Sequence, residues 1–149
     1  MKFFIDWTNV PARERLSPKT IKHLETKFTK LILASRGKLA QVAFVRPEKM
    51  RAMNRRYAGS DSVTDVLSFR AEDGEIFPMT ADEAWVGDLL LCFPDILKNA
   101  ARQKIASAEE LSRMLVHGAL HCLGYDHALS SDRRVMFDLQ EKIIHDSFE

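Results

Sequence analysis

Residues 107–127 read SAEELSRMLVHGALHCLGYDH, and the expected fold is built around this stretch. Its apolar residues recur at helical spacing, which predicts a buried helix. Those residues are Leu111, Met114, Leu115, Leu120 and Leu123. Ser107 and Glu110 stand at S-x-x-E spacing, which predicts a capping box at the start of the helix. Gly124 suits the left-handed conformation in which many helices end.

Three histidines in this stretch have the spacing of metal ligands. His117 and His121 are four residues apart, so they lie on the same face of a helix. A turn at Gly124 brings His127 back toward them. Catalytic zinc typically takes three protein ligands and keeps a fourth position for water, so the sequence predicts one zinc ion at an open site. The alternative is three separate polar histidines, but buried imidazoles on an apolar helix need partners, and this favours the metal site.

The residue after the first histidine separates this pattern from that of the zinc peptidases. Their motif has a glutamate there, which acts as the general base. This chain has Gly118, which costs about 1 kcal/mol relative to alanine inside a helix and predicts a close approach of backbone or substrate. A metallopeptidase therefore becomes a weaker alternative.

The run H-G-x-L-H-x-x-G-Y-D-H, from His117 to His127, resembles the signature of the YbeY family of bacterial rRNA-maturation endoribonucleases. Four other segments have the order and spacing of that family. They are Asn54-x-x-Tyr57, Thr64-Asp65-Val66-Leu67-Ser68-Phe69, Gly87-Asp88, and Met136-Phe137 followed by Gln140-Glu141. The resemblance implies a zinc-dependent endoribonuclease that prefers single strands and acts in small-subunit rRNA maturation and ribosome assembly. It also implies a four-stranded sheet with one antiparallel edge strand.

Composition sets the outer bounds. A chain of 149 residues predicts one domain over residues 1–149, with 46% hydrophobic and 29% charged residues as in ordinary globular proteins. The net charge of +1 gives no overall basic field, so RNA binding requires a local patch. Cys92 and Cys122 are expected to be buried reduced thiols, and Cys122 is not expected to be a ligand. The sequence has neither a signal-peptide core nor a run of ~18 apolar residues, so we expect a cytoplasmic protein without membrane contact.

Helices and strands alternate along the chain, which predicts a single α/β domain with a mixed sheet and about five helices. Strands are expected at 2–6, 39–45, 65–69 and 85–92. Helices are expected from Ser17-Pro18 to a stop at Gly37, from Pro47, from Pro94 to about Gln103, over residues 107–123, and near the end of the chain. The last helix is expected to bury Val135, Met136, Leu139 and Ile143, and residues 71–84 are expected to form a loop.

The leading candidates for RNA contact are arginines. Arg51, Arg55 and Arg56 cluster on the helix that begins at Pro47, and guanidinium groups bind phosphates in bidentate fashion. The alternative is an ordinary solvated surface. Members of the family that the chain resembles usually carry an arginine where this chain has Ala58. We therefore expect Arg55, Arg56 or Arg70 to supply the missing catalytic charge.

Candidate catalytic carboxylates lie near the histidines in sequence or in the strands. Asp126 is adjacent to a predicted ligand, so it is a candidate to orient an imidazole or accept a proton; the alternative is a turn residue. Asp65 and Asp88 stand among apolar residues, so each is expected either to support a ligand or to pair with a local backbone group.

The favoured function is a zinc endoribonuclease that uses metal-activated water at a three-histidine site. It would act on single-stranded or ribosomal RNA, with the small ribosomal subunit or assembly factors as partners. Two alternatives remain, namely a metallopeptidase-like hydrolase and a metal-stabilised ribosome-assembly factor that binds with little catalysis.

Overall fold

A four-stranded mixed sheet forms the centre of the fold. The computed structural model describes residues 1–62, 64–73, 84–145 and 147–148. The strands are β1 (Lys2–Asp6), β2 (Leu39–Phe44), β3 (Val66–Arg70) and β4 (Trp85–Leu91), in the order β1-β2-β4-β3. β1, β2 and β4 run parallel, and β3 pairs antiparallel with β4. The predicted mixed sheet with one antiparallel edge strand is confirmed.

In the described part of the chain, five α-helices pack around the sheet, as predicted. They are α1 (Pro18–Leu31), α2 (Pro47–Ala58), α3 (Phe93–Gln103), α4 (Ser107–Cys122) and α5 (Ser130–Ile144). Short 3-10 turns lie at Ala12–Glu14, Leu33–Ser35 and Ala71–Asp73. The last of these begins the predicted 71–84 loop, of which residues 74–83 lie outside the described residues. None of the helices formed by the described residues is long and apolar enough to span a membrane.

Two of the expected helix signals were wrong. α1 ends at Leu31, and a 3-10 turn separates it from Gly37, which instead takes a φ of 73° just before β2. The capping box at α4 does not form, because Ser107 is already the first helical residue and Ala106 takes the cap position. The Ser107 hydroxyl donates instead to Glu14, which is 93 residues away in sequence.

The buried face of α5 also differs from the prediction. Met136 and Ile143 are buried as expected, but Val135 is 52% exposed. Gln140 lies in the core with an exposure of 2%. The prediction from the apolar stripe was therefore wrong at Val135 and omitted Gln140, because a polar residue occupies part of the buried face.

The two sides of the sheet carry separate apolar clusters. The larger one joins strand residues such as Leu89 to α1, α4 and α5, including Phe28, Leu115 and Met136. A smaller cluster around Met50 of α2 lies on the opposite side, because successive strand residues alternate in direction. Both cysteines are buried free thiols, as predicted. This packing places α4 directly against β3 and β4.

Gly118 is the point where α4 comes closest to the sheet. A Cβ at this position would lie 2.8 Å from Leu89 Cδ2 and 3.2 Å from Ser68 Oγ. The Ser68 hydroxyl donates to the Gly118 carbonyl at 3.3 Å. A close approach at Gly118 is present as predicted, but its partners are side chains of the sheet and not backbone or substrate.

Candidate metal centre

The three histidines meet at the C-terminal end of α4. His117 and His121 lie one turn apart on the helix, and Gly124 follows it with a φ of 100°. The Tyr125 N–H donates back to the Leu120 carbonyl at 3.1 Å, which folds the chain over the helix end. His127 thereby returns to the other two, and one ring nitrogen from each histidine lies within 4.8 Å of the others. The predicted turn and convergence are present.

The surroundings of His117 and His121 favour the neutral form of both imidazoles. Burial lowers the pKa of His117, and burial together with His117 and His127 lowers the pKa of His121 to about 4. A neutral imidazole keeps a lone pair that a metal ion can use. Three imidazole donors match the ligand set of an open zinc site. The residues present therefore fit a zinc ion.

A cavity of about 550 Å³ opens beside these rings. We call it the histidine cavity; its other side chains come from the segment around β3 and from the turn after α4. They include Thr64, Asp65, Ser68, Arg70, Asp73, Tyr125 and Asp126. The lining is mostly polar, which suits a charged substrate better than an apolar one.

Of the predicted arginines, Arg70 is the one that lines the histidine cavity. Its Nη2 lies 2.9 Å from Glu72 Oε2, and its Nη1 lies 4.0 Å from Asp73 Oδ1. Its Nε is buried and has no hydrogen-bond partner in the described part of the chain. Because guanidinium groups bind phosphates strongly, the position of Arg70 in the cavity lining makes it a candidate for substrate contact.

The α2 arginines lie elsewhere. Arg51 forms a bidentate pair with Asp61 at 3.0 and 3.1 Å, and Arg55 Nη1 lies 3.8 Å from the same carboxylate. The Arg56 guanidinium stacks over Tyr57, 5.1 Å from the ring centre. None of the three lines the histidine cavity, so their contact with RNA stays a prediction.

The candidate carboxylates separate into two groups. Asp65 and Asp126 line the histidine cavity, whereas Asp88 lines a cleft bounded by α2. Asp65 Oδ2 accepts from Asn99 Nδ2 at 3.1 Å, and Asp88 Oδ1 accepts from Trp85 Nε1 at 3.0 Å. Both partners are side chains and not local backbone: Asn99 is 34 residues from Asp65, whereas Trp85 lies three residues from Asp88 on β4. Burial raises the pKa of Asp88.

Asp126 has the local contact expected of a turn residue. Its Oδ1 accepts from the His127 N–H at 2.6 Å, and this bond lowers the pKa of the exposed carboxyl group. The contact orients the backbone next to a candidate ligand. The same carboxylate still faces the histidine cavity, so a role in proton transfer stays a prediction.

Sequence reasoning gave no role to one residue that touches the centre. His117 Nδ1 lies 2.8 Å from Gln140 Oε1, which comes from α5. The sequence signals were the Gln140-Glu141 pair in the family resemblance and a polar residue on a helix face that is otherwise apolar. Cys122, by contrast, is not part of the histidine cluster, and burial raises the pKa of its thiol to about 12.

Comparison with known proteins identifies the family. The family model described as "Endoribonuclease YbeY" matches residues 7–147. The chain belongs to the YbeY family. An "Endoribonuclease YbeY" from Geobacillus thermodenitrificans is 39% identical over 145 residues, which cover 95% of this chain and 92% of the relative. One from Neisseria meningitidis is 40% identical over 89 residues, or 60% of this chain and 53% of the relative.

The YbeY relatives are named as endonucleases that act on RNA, so the predicted enzyme class, a hydrolase of RNA, is confirmed for the family. The fold has a counterpart among solved structures as well. The solution structure of TM1509 from Thermotoga maritima superposes with a TM-score of 0.56 at 20% identity, and the match covers 96% of this chain and 88% of that one. At this identity the likeness concerns the fold alone.

Proposed function

We propose that this protein is a zinc-dependent endoribonuclease that cleaves single-stranded RNA in the histidine cavity. The observation that carries the proposal is the convergence of His117, His121 and His127 on one point beside a polar cavity. The family name supplies the reaction class. A bound zinc ion supplies Lewis-acid chemistry and lowers the pKa of water to about 7. The three histidines would hold the ion through their ring nitrogens, and the lowered pKa values of His117 and His121 suit that role.

Arg70 is proposed to bind the scissile phosphate. Its side chain lines the cavity that contains the histidines, which places a guanidinium group beside the candidate metal site. Charge that develops on a phosphate during cleavage is stabilised by a donor held in place beforehand. Glu72 lies within 2.9 Å of the guanidinium and would keep it in position. Arg70 would thus take over the role of the arginine that Ala58 replaces.

Asp126 is proposed to accept a proton during the reaction. A proton acceptor must be ionised at the working pH, and the lowered pKa of Asp126 meets this condition. Its position beside His127 places it at the edge of the cavity. Asp65 is the competing carboxylate, because it lines the same cavity while bonded to Asn99.

The cellular role is proposed from the family resemblance. We place the protein in 3′-end maturation of small-subunit rRNA and in ribosome quality control in the cytoplasm, with the small subunit or assembly factors as partners.

The metallopeptidase alternative is weaker than the endoribonuclease. The space at Gly118 is filled by Leu89 and Ser68, which leaves no room for a general-base glutamate at that position. A binding factor with little catalysis remains the alternative to test.

The test combines metal analysis with cleavage of a labelled single-stranded RNA. We expect the wild type to hold one zinc ion and to cleave, and His121→Ala to lose both properties. His23→Ala is the matched control, because His23 is a half-buried histidine of α1 outside the cluster. A zinc-loaded wild type that associates with small subunits without cutting RNA would favour the binding factor. Chelator-sensitive cleavage of casein in place of RNA would favour the peptidase.

A further inference from the structure

The contact between His117 and Gln140 constrains where the imidazole carries its proton. The side-chain oxygen of glutamine can only accept a hydrogen bond. Since His117 Nδ1 lies 2.8 Å from this oxygen, Nδ1 must be the donor. In a neutral imidazole the other nitrogen, Nε2, then carries the lone pair. Gln140 is 2% exposed, so water does not compete for the contact.

The orientation of the Gln140 amide is set by the next residue on α5. Gln140 Nε2 faces Glu141 Oε1 at 3.4 Å. A reversed amide would place its oxygen against that carboxylate and its NH₂ group against His117. The reversed arrangement is therefore electrostatically unfavourable, and the carboxylate directs the Gln140 oxygen toward the histidine.

Glu141 is in turn held by Arg113 of α4. Arg113 Nε donates to Glu141 Oε1 at 2.8 Å, and Nη2 donates to Glu141 Oε2 at 3.2 Å. Arg113 also contacts Glu109 and Glu110 on its own helix. The Arg113 side chain is 16% exposed and that of Glu141 is 51% exposed, so the guanidinium group is mostly buried while the carboxylate is partly solvated. The result is a continuous series of polar contacts from α4 through α5 and back to α4.

We infer that the series Arg113–Glu141–Gln140 fixes His117 in the Nδ1–H tautomer and so aims its Nε2 lone pair into the histidine cavity. Gln140 is thus a positioning residue for the first candidate ligand. This inference rests on the proposed function only for the identity of the metal. Hydrogen bonds from the second nitrogen of a ligating histidine generally fix its tautomer, and their loss typically weakens metal binding by about 10–100-fold.

The first measurement is made on the full-length, metal-free protein at neutral pH. Long-range ¹H–¹⁵N spectra report which nitrogen of each imidazole is protonated. We expect His117 to be protonated at Nδ1 in the wild type and to lose this preference in Gln140→Met, which keeps the side-chain length without an acceptor. Gln140→Glu keeps an acceptor and should retain the wild-type tautomer. Gln103→Met is the matched control, because Gln103 bonds to Glu110 and not to a histidine.

The second measurement is zinc affinity, determined by competition with a chromophoric chelator. Gln140→Met should bind zinc about 10–100-fold more weakly, whereas Gln140→Glu and Gln103→Met should stay within a few-fold of the wild type. If Gln140→Met fails to fold, Glu141→Gln provides the second variant. Its side chain is 51% exposed, and it should reduce both the tautomer preference and the affinity.

Retention of the Nδ1–H tautomer, or of wild-type zinc affinity, in a folded Gln140→Met protein would overturn the inference. So would a Glu141→Gln protein that keeps both properties. The proposed function is tested separately, because neither measurement here involves RNA. It fails if the zinc-loaded wild type does not cut RNA.

Discussion

The backbone of Gly118 and the side chain of Leu89 are in such close contact that an added Cβ would lie 2.8 Å from Leu89 Cδ2. Leu89 belongs to β4 and is fully buried, so it has little freedom to move. This contact sets how far α4 stands from the sheet. His117 precedes Gly118, and His121 follows less than one turn later. The same contact therefore fixes the position of both histidines relative to the sheet.

Gly118→Ala should therefore destabilise the protein. Alanine favours a helix by about 1 kcal/mol over glycine, but overpacking a core costs about 1–3 kcal/mol. We expect a net loss, measured as the free energy of unfolding in urea. Leu89→Ala in the same chain should relieve the clash, so the double variant should be more stable than the two separate losses predict. If the losses in free energy of unfolding of the two single variants simply add in the double variant, the proposed contact is contradicted.

Arg70→Ala should lower RNA cleavage by about 100-fold or more, because it removes a donor aimed at the reacting phosphate. Zinc content should not change, since Arg70 is not a candidate ligand. Arg70→Lys should recover only part of the rate, because lysine lacks the planar fork of donors. Single-turnover cleavage at saturating RNA measures the effect.

The matched control for Arg70 is Arg102→Ala, because Arg102 is an exposed arginine of α3 that lines neither cleft. Arg51→Ala and Arg55→Ala should raise KM modestly without a change in kcat, since both arginines are engaged with Asp61. If Arg55→Ala or Arg56→Ala abolishes cleavage while Arg70→Ala does not, the proposed assignment of Arg70 is wrong.

The stability of the metal-free protein should fall as the pH is lowered from about 6.5 toward 4. The pKa of His121 is near 4 in the folded protein, whereas an unfolded histidine titrates near ~6.5. Between these values the unfolded chain binds more protons than the folded chain, so protonation favours unfolding. Urea unfolding at a series of pH values, with chelator present, measures this.

His121→Ala should reduce that pH dependence, and His23→Ala should leave it unchanged. If the free energy of unfolding changes equally with pH in the wild type and in His121→Ala, the assignment of the effect to this imidazole is contradicted.

The sequence predicted the histidine centre well because its geometry is mostly local. The i, i+4 spacing of His117 and His121 and the glycine after the helix are enough to bring three rings together. The strands were also placed correctly, since their apolar runs are continuous. The arrangement of the strands in the sheet came from the family resemblance.

The errors and omissions involve contacts between residues that are distant in sequence. Ser107 bonds to Glu14 and not to its own helix, and Gln140 reaches His117 across two helices. Arg51 and Arg55 are engaged with Asp61, which no local pattern indicated. Local propensity cannot predict such partners, because they depend on how the elements pack.

The central claim is that His117, His121 and His127 hold one metal ion in the histidine cavity. Anomalous diffraction at the zinc edge, on crystals of the zinc-loaded protein, tests it most directly. We predict one peak at ~2.1 Å from a single ring nitrogen of each histidine, with His117 bound through Nε2. The absence of a peak there, or a peak at other residues, would contradict the account.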